Sequence, residues 1–82
     1  MYLAKVIVTL RKSILDPQGK AVHHALESLE MEAVEEVRIG KYIEMKLQCS
    51  TQEEAHRITE EACKKLLANP VMEDYVFSLE KA

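Results

Sequence analysis

The sequence predicts an α+β fold in the order β-α-β-β-α-β, and three observations predict it. Four stretches alternate apolar and polar residues with the period of a half-buried strand. Two others carry apolar residues at three- and four-residue steps, the period of an amphipathic helix. Turn and cap residues stand between them: Asp16-Pro17, Gly40-Lys41, Ser50-Thr51 and Asn69-Pro70.

Residues 2–11 place Tyr2, Ala4, Val6, Val8 and Leu10 on one face, and Leu3, Lys5, Ile7, Thr9 and Arg11 on the other. Asp16 is then suited to cap a helix, because its carboxylate accepts from free backbone N–H groups, and Pro17 fits the first helical position. Ala21, Val22, Ala25, Leu26 and Leu29 form the apolar stripe of a helix over 17–30. Residues 33–39 and 42–49 read as a β-hairpin turning at Gly40-Lys41, with Ile43, Met45, Leu47 and Cys49 inward. Ser50 and Glu53 read as a capping box opening a helix over 51–68. Its stripe is Ala55, Ile58, Ala62 and Leu66, flanked by Thr59, Cys63 and Leu67, and Asn69-Pro70 ends it. The run 72–80 alternates once more around Tyr75, Phe77 and Leu79.

With right-handed crossovers the economical solution is a four-stranded antiparallel sheet in the order 4-1-3-2, with two helices on one face: a ferredoxin-like fold. One domain over 1–82 accounts for the whole length. This fold serves many functions, so chemistry has to come from side chains. It also leaves one sheet face open. There Leu3, Ile7, Tyr42 and Val76 lie among charged residues, which makes them the expected contact face of a homodimer.

Composition narrows the classes of function. The chain is 48% hydrophobic and 30% charged with a net charge of −3, which suits a globular soluble protein. No apolar run approaches a membrane span. Met1-Tyr2-Leu3-Ala4-Lys5 has neither a basic leader nor a small-residue cleavage site, so a cytoplasmic location is expected, with Cys49 and Cys63 as free thiols. An acidic total, no tryptophan and only four aromatic residues argue against a nucleic-acid partner.

No catalytic set emerges. His23 and His24 are adjacent on a helix and point about 100° apart, so they cannot share a metal. His56 lies about 10.5 Å along the helix axis from Cys63, too far to activate it. Glu53-Glu54 and Glu60-Glu61 sit at helical spacing from Arg57, Lys64 and Lys65, the pattern of an exposed charge-paired face. Neither glycine belongs to a phosphate-cradling loop. Arg38, Lys41 and Tyr42, beside the expected turn, are candidate partner contacts.

Three stretches, taken with their order and spacing, resemble one family across the whole chain. They are Leu15-Asp16-Pro17-Gln18-Gly19 with Ala21-Val22 and Ala25-Leu26 behind it; Val37-Arg38-Ile39-Gly40-Lys41-Tyr42-Ile43-Glu44; and Cys63-Lys64-Lys65-Leu66-Leu67-Ala68-Asn69-Pro70-Val71-Met72-Glu73-Asp74-Tyr75. The resemblance is to PurS, the small subunit of phosphoribosylformylglycinamidine synthase in purine biosynthesis. It implies a non-catalytic, ferredoxin-like homo-oligomer, at least a dimer. The subunit would bridge a large synthetase subunit and a glutaminase subunit and assist ammonia transfer. The whole enzyme is an ATP- and glutamine-dependent carbon–nitrogen ligase; ATP and magnesium would belong to the synthetase subunit, with no cofactor or metal on this chain. Relatives often carry glycine shortly after the first helix, where this chain has Leu29-Glu30-Met31-Glu32. The alternative is a stand-alone metabolite-sensing or regulatory dimer of the same fold; affinity capture of a synthetase and a glutaminase separates the two.

Overall fold

A computed structural model describes all residues, 1–82. Three antiparallel strands, β1 (Tyr2–Leu10), β2 (Gly40–Leu47) and β3 (Glu73–Lys81), form a sheet in the order β2-β1-β3. Two α-helices, α1 (Pro17–Ser28) and α2 (Gln52–Ala62), complete the regular structure, α2 running into a π-helical turn at Cys63–Leu67. The α+β class and both helices stand as the sequence predicts. Three of the four strands are present in their expected neighbour order.

The fourth strand is the correction. Residues 33–39 pair with nothing as a strand, and no hairpin turns at Gly40-Lys41. Two physical reasons exclude it. Gly40 has no positive φ; it lies in β2 opposite Thr9, so close to β1 that an added Cβ would meet the Val8 carbonyl oxygen at 2.5 Å. Parity is the second reason. Opposed residues on antiparallel strands point to the same face. A two-residue turn at 40–41 would set Ile39 opposite Tyr42, on the face away from Ile43 and Met45. The chain instead continues from 34 into β2 without pairing as a strand.

The core lies between the sheet and α2. Ala4, Val6 and Val8, alternating along β1, are fully buried, because β1 is paired on both sides and covered by α2. Ala55, Thr59, Cys63 and Ala68 meet them, and Ile43, Met45, Tyr75 and Phe77 pack half-buried around the cluster. Small residues at 55, 59 and 63 let the helix approach the sheet closely. The Thr59 hydroxyl, which would otherwise be an unpaired buried donor, bonds the Ala55 carbonyl at 2.8 Å.

Two local expectations shift. Thr51, not Ser50, caps α2: its Oγ1 accepts from Glu54 N at 3.2 Å. Leu66, expected in the buried stripe, is 83% exposed. The π-turn is the reason. Its wider winding, closed by Ala68 N to Cys63 O at 3.1 Å, rotates later residues, so that Leu67 turns to the core in place of Leu66. Asn69 Oδ1 then accepts from Val71 N, and Glu73 Oε1 from Asn69 N, fixing the turn into β3.

Helix α1 does not lie on the sheet, contrary to the expectation of two helices on one face. It projects as an arm together with residues 33–39, stretching the molecule to 50 × 27 × 14 Å. The arm has its own bonds. His23 Nε2 donates to the Val34 carbonyl at 2.7 Å, and Gly19 packs so tightly on the Val37 carbonyl that a Cβ there would lie 2.3 Å from its oxygen. Asp16 is the hinge pin. It caps α1 as expected, one oxygen accepting from Gly19 N and the other from Ile39 N, both at 2.9 Å.

After α1 the chain reverses at Glu30, whose φ of 65° is left-handed. Met31 N closes back on Leu26 O at 3.0 Å. A side chain in that region costs about 1 kcal/mol, which glycine avoids. Glu30→Gly is therefore expected to raise the melting temperature by roughly 4–8 °C, measured by thermal denaturation. A lowered melting temperature would show that Glu30 makes a stabilising contact outside the chain.

Candidate functional site

The outer face of the sheet is set by the register. Ile7 on β1 stands directly between Tyr42 on β2 and Val76 on β3. These three, 48%, 57% and 64% exposed, form one apolar row across the open face. Leu3 lies on the same face two rows away, between Lys46 and Glu80. The four residues expected at a dimer contact are thus on one surface, three of them contiguous. Lys5 separates Leu3 from the row, bonded to Glu80 at 2.7 Å; this bond and its charge hold the ammonium above its usual range. The Tyr42 hydroxyl donates to Glu44 at 2.8 Å, which raises the phenol pKa. Both groups keep their protons at neutral pH, so Lys5 on the central strand stands between carboxylates on both flanking strands, Glu44 and Glu80.

Arg38, Lys41 and Tyr42 do not form a surface. Arg38 is used within the fold: its guanidinium donates to the carbonyls of Leu10 at 2.6 Å and Arg11 at 2.9 Å, tying the return run to the end of β1. Lys41 reaches toward Glu73 at 3.8 Å, and Tyr42, one residue on, points to the opposite face. Adjacent positions on a strand cannot share a face, and that constraint separates them.

The chemistry-bearing side chains are not assembled. Cys63 is fully buried, and desolvation, with Glu60 nearby, pushes its thiol up and keeps it protonated. The His56 ring lies 5.1 Å from the Phe77 ring, with Nδ1 3.7 Å from Glu60. No three His, Cys, Asp or Glu side chains are grouped to hold a metal. A cleft of about 610 Å³ opens beside the π-turn between Arg11, Ala68, Pro70 and Tyr75. Arg11, its charged wall, is engaged by Asp74 at 3.2 Å and the Pro70 carbonyl at 2.6 Å. In the π-turn Leu66 stands 83% exposed, which helical spacing alone conceals because it assigns Leu66 to the core, and Val71 is 73% exposed.

What this geometry defines is a small binding module: an open sheet face, a projecting arm, and side chains placed for contact. The chain belongs to the PurS family; the model described as "Phosphoribosylformylglycinamidine (FGAM) synthase" matches residues 3–81. It is similar to the phosphoribosylformylglycinamidine synthase subunit PurS of Bacillus subtilis, 48% identical over 99% of this chain and 95% of that one. The corresponding subunit of Methanocaldococcus jannaschii is 42% identical over 99% and 98%. Among solved structures it resembles B. subtilis PurS with a TM-score of 0.89 at 48% identity, covering 99% of this chain and 100% of that one. A chain of the PurLQS structure from Thermotoga maritima matches with a TM-score of 0.86 at 30% identity, covering 98% and 99%.

Asp16 couples α1 to the return run of the arm, and its titration reports on that coupling. The bonds from Gly19 N and Ile39 N lower its pKa below the usual 3.8. A depressed pKa contributes stability that is present above pH 3.8 and lost as pH falls through the folded-state value. An asparagine keeps one acceptor and loses the second. Asp16→Asn is expected to lower the denaturation midpoint at pH 7, with the gap to wild type narrowing below about pH 3.8. A gap independent of pH would remove the carboxylate from this role.

Proposed function

We propose that the chain acts as the small subunit of phosphoribosylformylglycinamidine synthase in purine biosynthesis, with no active site of its own. The single observation carrying this reading is the family match along residues 3–81. The buried, protonated Cys63 and the committed Arg11 and Arg38 support the non-catalytic part. The PurLQS neighbour supports assembly with synthetase and glutaminase subunits. ATP and magnesium then act on the synthetase, and the complex works in the cytoplasm. No helix of this chain is long and apolar enough to cross a membrane.

Such a subunit would act on ammonia without touching it chemically. In neutral water ammonia is mostly protonated, and ammonium is not a nucleophile. Ammonia released from glutamine must reach the synthetase sheltered from solvent, with the two sites in fixed relation. A rigid homo-oligomer seated between them would supply that relation. Its contact faces would include the outer row of Ile7, Tyr42 and Val76 with Leu3. Lys41, on the other face of β2 beside Glu73, would be a further contact; Arg38 would contribute through the backbone it positions.

Reconstitution from purified subunits tests this reading. The isolated chain is expected to show no glutaminase, ATPase or ligase activity. Glutamine-dependent synthesis by the other two subunits should fall sharply without it. Full synthesis in its absence would reject the proposal. Excess ammonium salt restoring activity would support a transfer role, and failure to restore it a structural one.

The outer row has its own test. Ile7→Glu places a charge between Tyr42 and Val76 at a half-exposed position, so the fold should hold. Sedimentation equilibrium is expected to show a lower oligomer order than wild type, with an unchanged circular dichroism spectrum. An unchanged order would reject the row as a self-association face.

A further inference from the structure

The chain carries its charge unevenly. Residues 1–20 hold four bases and one acid, a net charge of +3, and residues 21–82 carry −6. The fold gathers part of the positive end into one groove, which lies where β1 gives way to α1. Its volume is about 340 Å³, and three segments line it: the loop 12–16, Lys20 in the first turn of α1, and residues 36–38 of the return run.

The charged groups of the groove are not equivalent. Both acids on its wall are engaged. The Asp16 oxygens accept from Gly19 N and Ile39 N, and Glu36 lies 3.4 Å from the Arg38 guanidinium. Arg38 in turn donates to the Leu10 and Arg11 carbonyls. The ammonium groups of Lys12 and Lys20 belong to none of the chain's ion pairs. Ser13 adds a hydroxyl beside them. The rest of the wall is apolar, formed by Ile14, Leu15 and Val37, and Leu15 is 63% exposed.

We propose that this groove docks an acidic segment of another subunit of the enzyme, its carboxylates on Lys12 and Lys20 and an apolar side chain against Leu15. This inference rests on the assembly reading above and locates one of its contacts. The mixed chemistry of the wall favours a protein segment as the occupant. A small inorganic anion would use the lysines and leave Leu15 in water, whereas a peptide covers both. A second copy of this chain fits poorly. In a two-fold contact the groove would face itself, lysine against lysine. Contact with an acidic face elsewhere on the copy would be heterologous and would not close as a pair. Lysines on a rim also draw an acidic partner from a distance, an effect that salt screens.

Binding of the intact chain to purified synthetase and to purified glutaminase tests the groove. Wild type should bind at least one of them, with an association rate that falls about tenfold or more between roughly 0.05 M and 0.5 M salt. Lys12→Glu with Lys20→Glu changes two exposed side chains, so its circular dichroism and oligomer order should match wild type. This variant should bind that subunit at least about tenfold more weakly. Lys12→Gln with Lys20→Gln, which adds no charge, should weaken binding about threefold or more. Leu15→Ser should dissociate about threefold faster or more, with an unchanged salt dependence. Wild type that binds neither subunit overturns the assembly reading and this inference with it. Wild-type affinity in both lysine variants overturns the groove alone. A lowered oligomer order in Lys12→Glu with Lys20→Glu assigns the groove to a second copy and overturns the inference as well.

Discussion

Pairing of β1 on both sides is the constraint on which the rest of the structure depends. A strand with two neighbours has every backbone group satisfied, so its alternate side chains can be fully removed from water. Ala4, Val6 and Val8 are removed in this way, and they form the floor on which α2 packs. The same double pairing aligns Tyr42, Ile7 and Val76 across the opposite face. Core and binding surface are thus the two sides of one strand. A one-residue slip of register would exchange them.

From β1 outward, order depends on progressively fewer contacts. Helix α2 is held by close approach of small residues, and the π-turn keeps Cys63 and Ala68 in the core at the cost of exposing Leu66. The arm is held by polar bonds: the Asp16 carboxylate joins its two halves through Gly19 N and Ile39 N, and the Arg38 guanidinium ties it to the end of β1. Such bonds fix direction without burying apolar area. A helix held this way keeps its apolar stripe available to another chain, which suits a subunit whose work is assembly.

The functional reading agrees with that arrangement. The groups that could do chemistry are spent on structure: Cys63 on packing, His23 on the Val34 carbonyl, and Arg11 on Asp74 and Pro70. Helical rise of about 1.5 Å per residue separates His56 from Cys63 along the axis, and His56 lies against Phe77 and Glu60. The outer row was legible too, since strand period alone puts Ile7, Tyr42 and Val76 on one side. Lys41 and Tyr42 diverge because they are neighbours in a strand, and Arg38 is used on the Leu10 and Arg11 carbonyls. The exposure of Leu66 was hidden because a π-turn has no signature in helical spacing.

The amino-acid sequence by itself determined the elements and their faces: three strands by period two, two helices by their stripes, and the caps at Asp16 and Asn69-Pro70. It also carried the family, in motifs whose order and spacing span the chain. These are local properties, decided within a few residues by backbone sterics and side-chain period. Tertiary structure decided where the chain turns back. A glycine beside a lysine permits a hairpin and equally permits a straight strand. The contact of Gly40 with the Val8 carbonyl selected the strand. That choice depends on residues more than thirty positions apart, and period alone contains no such distance.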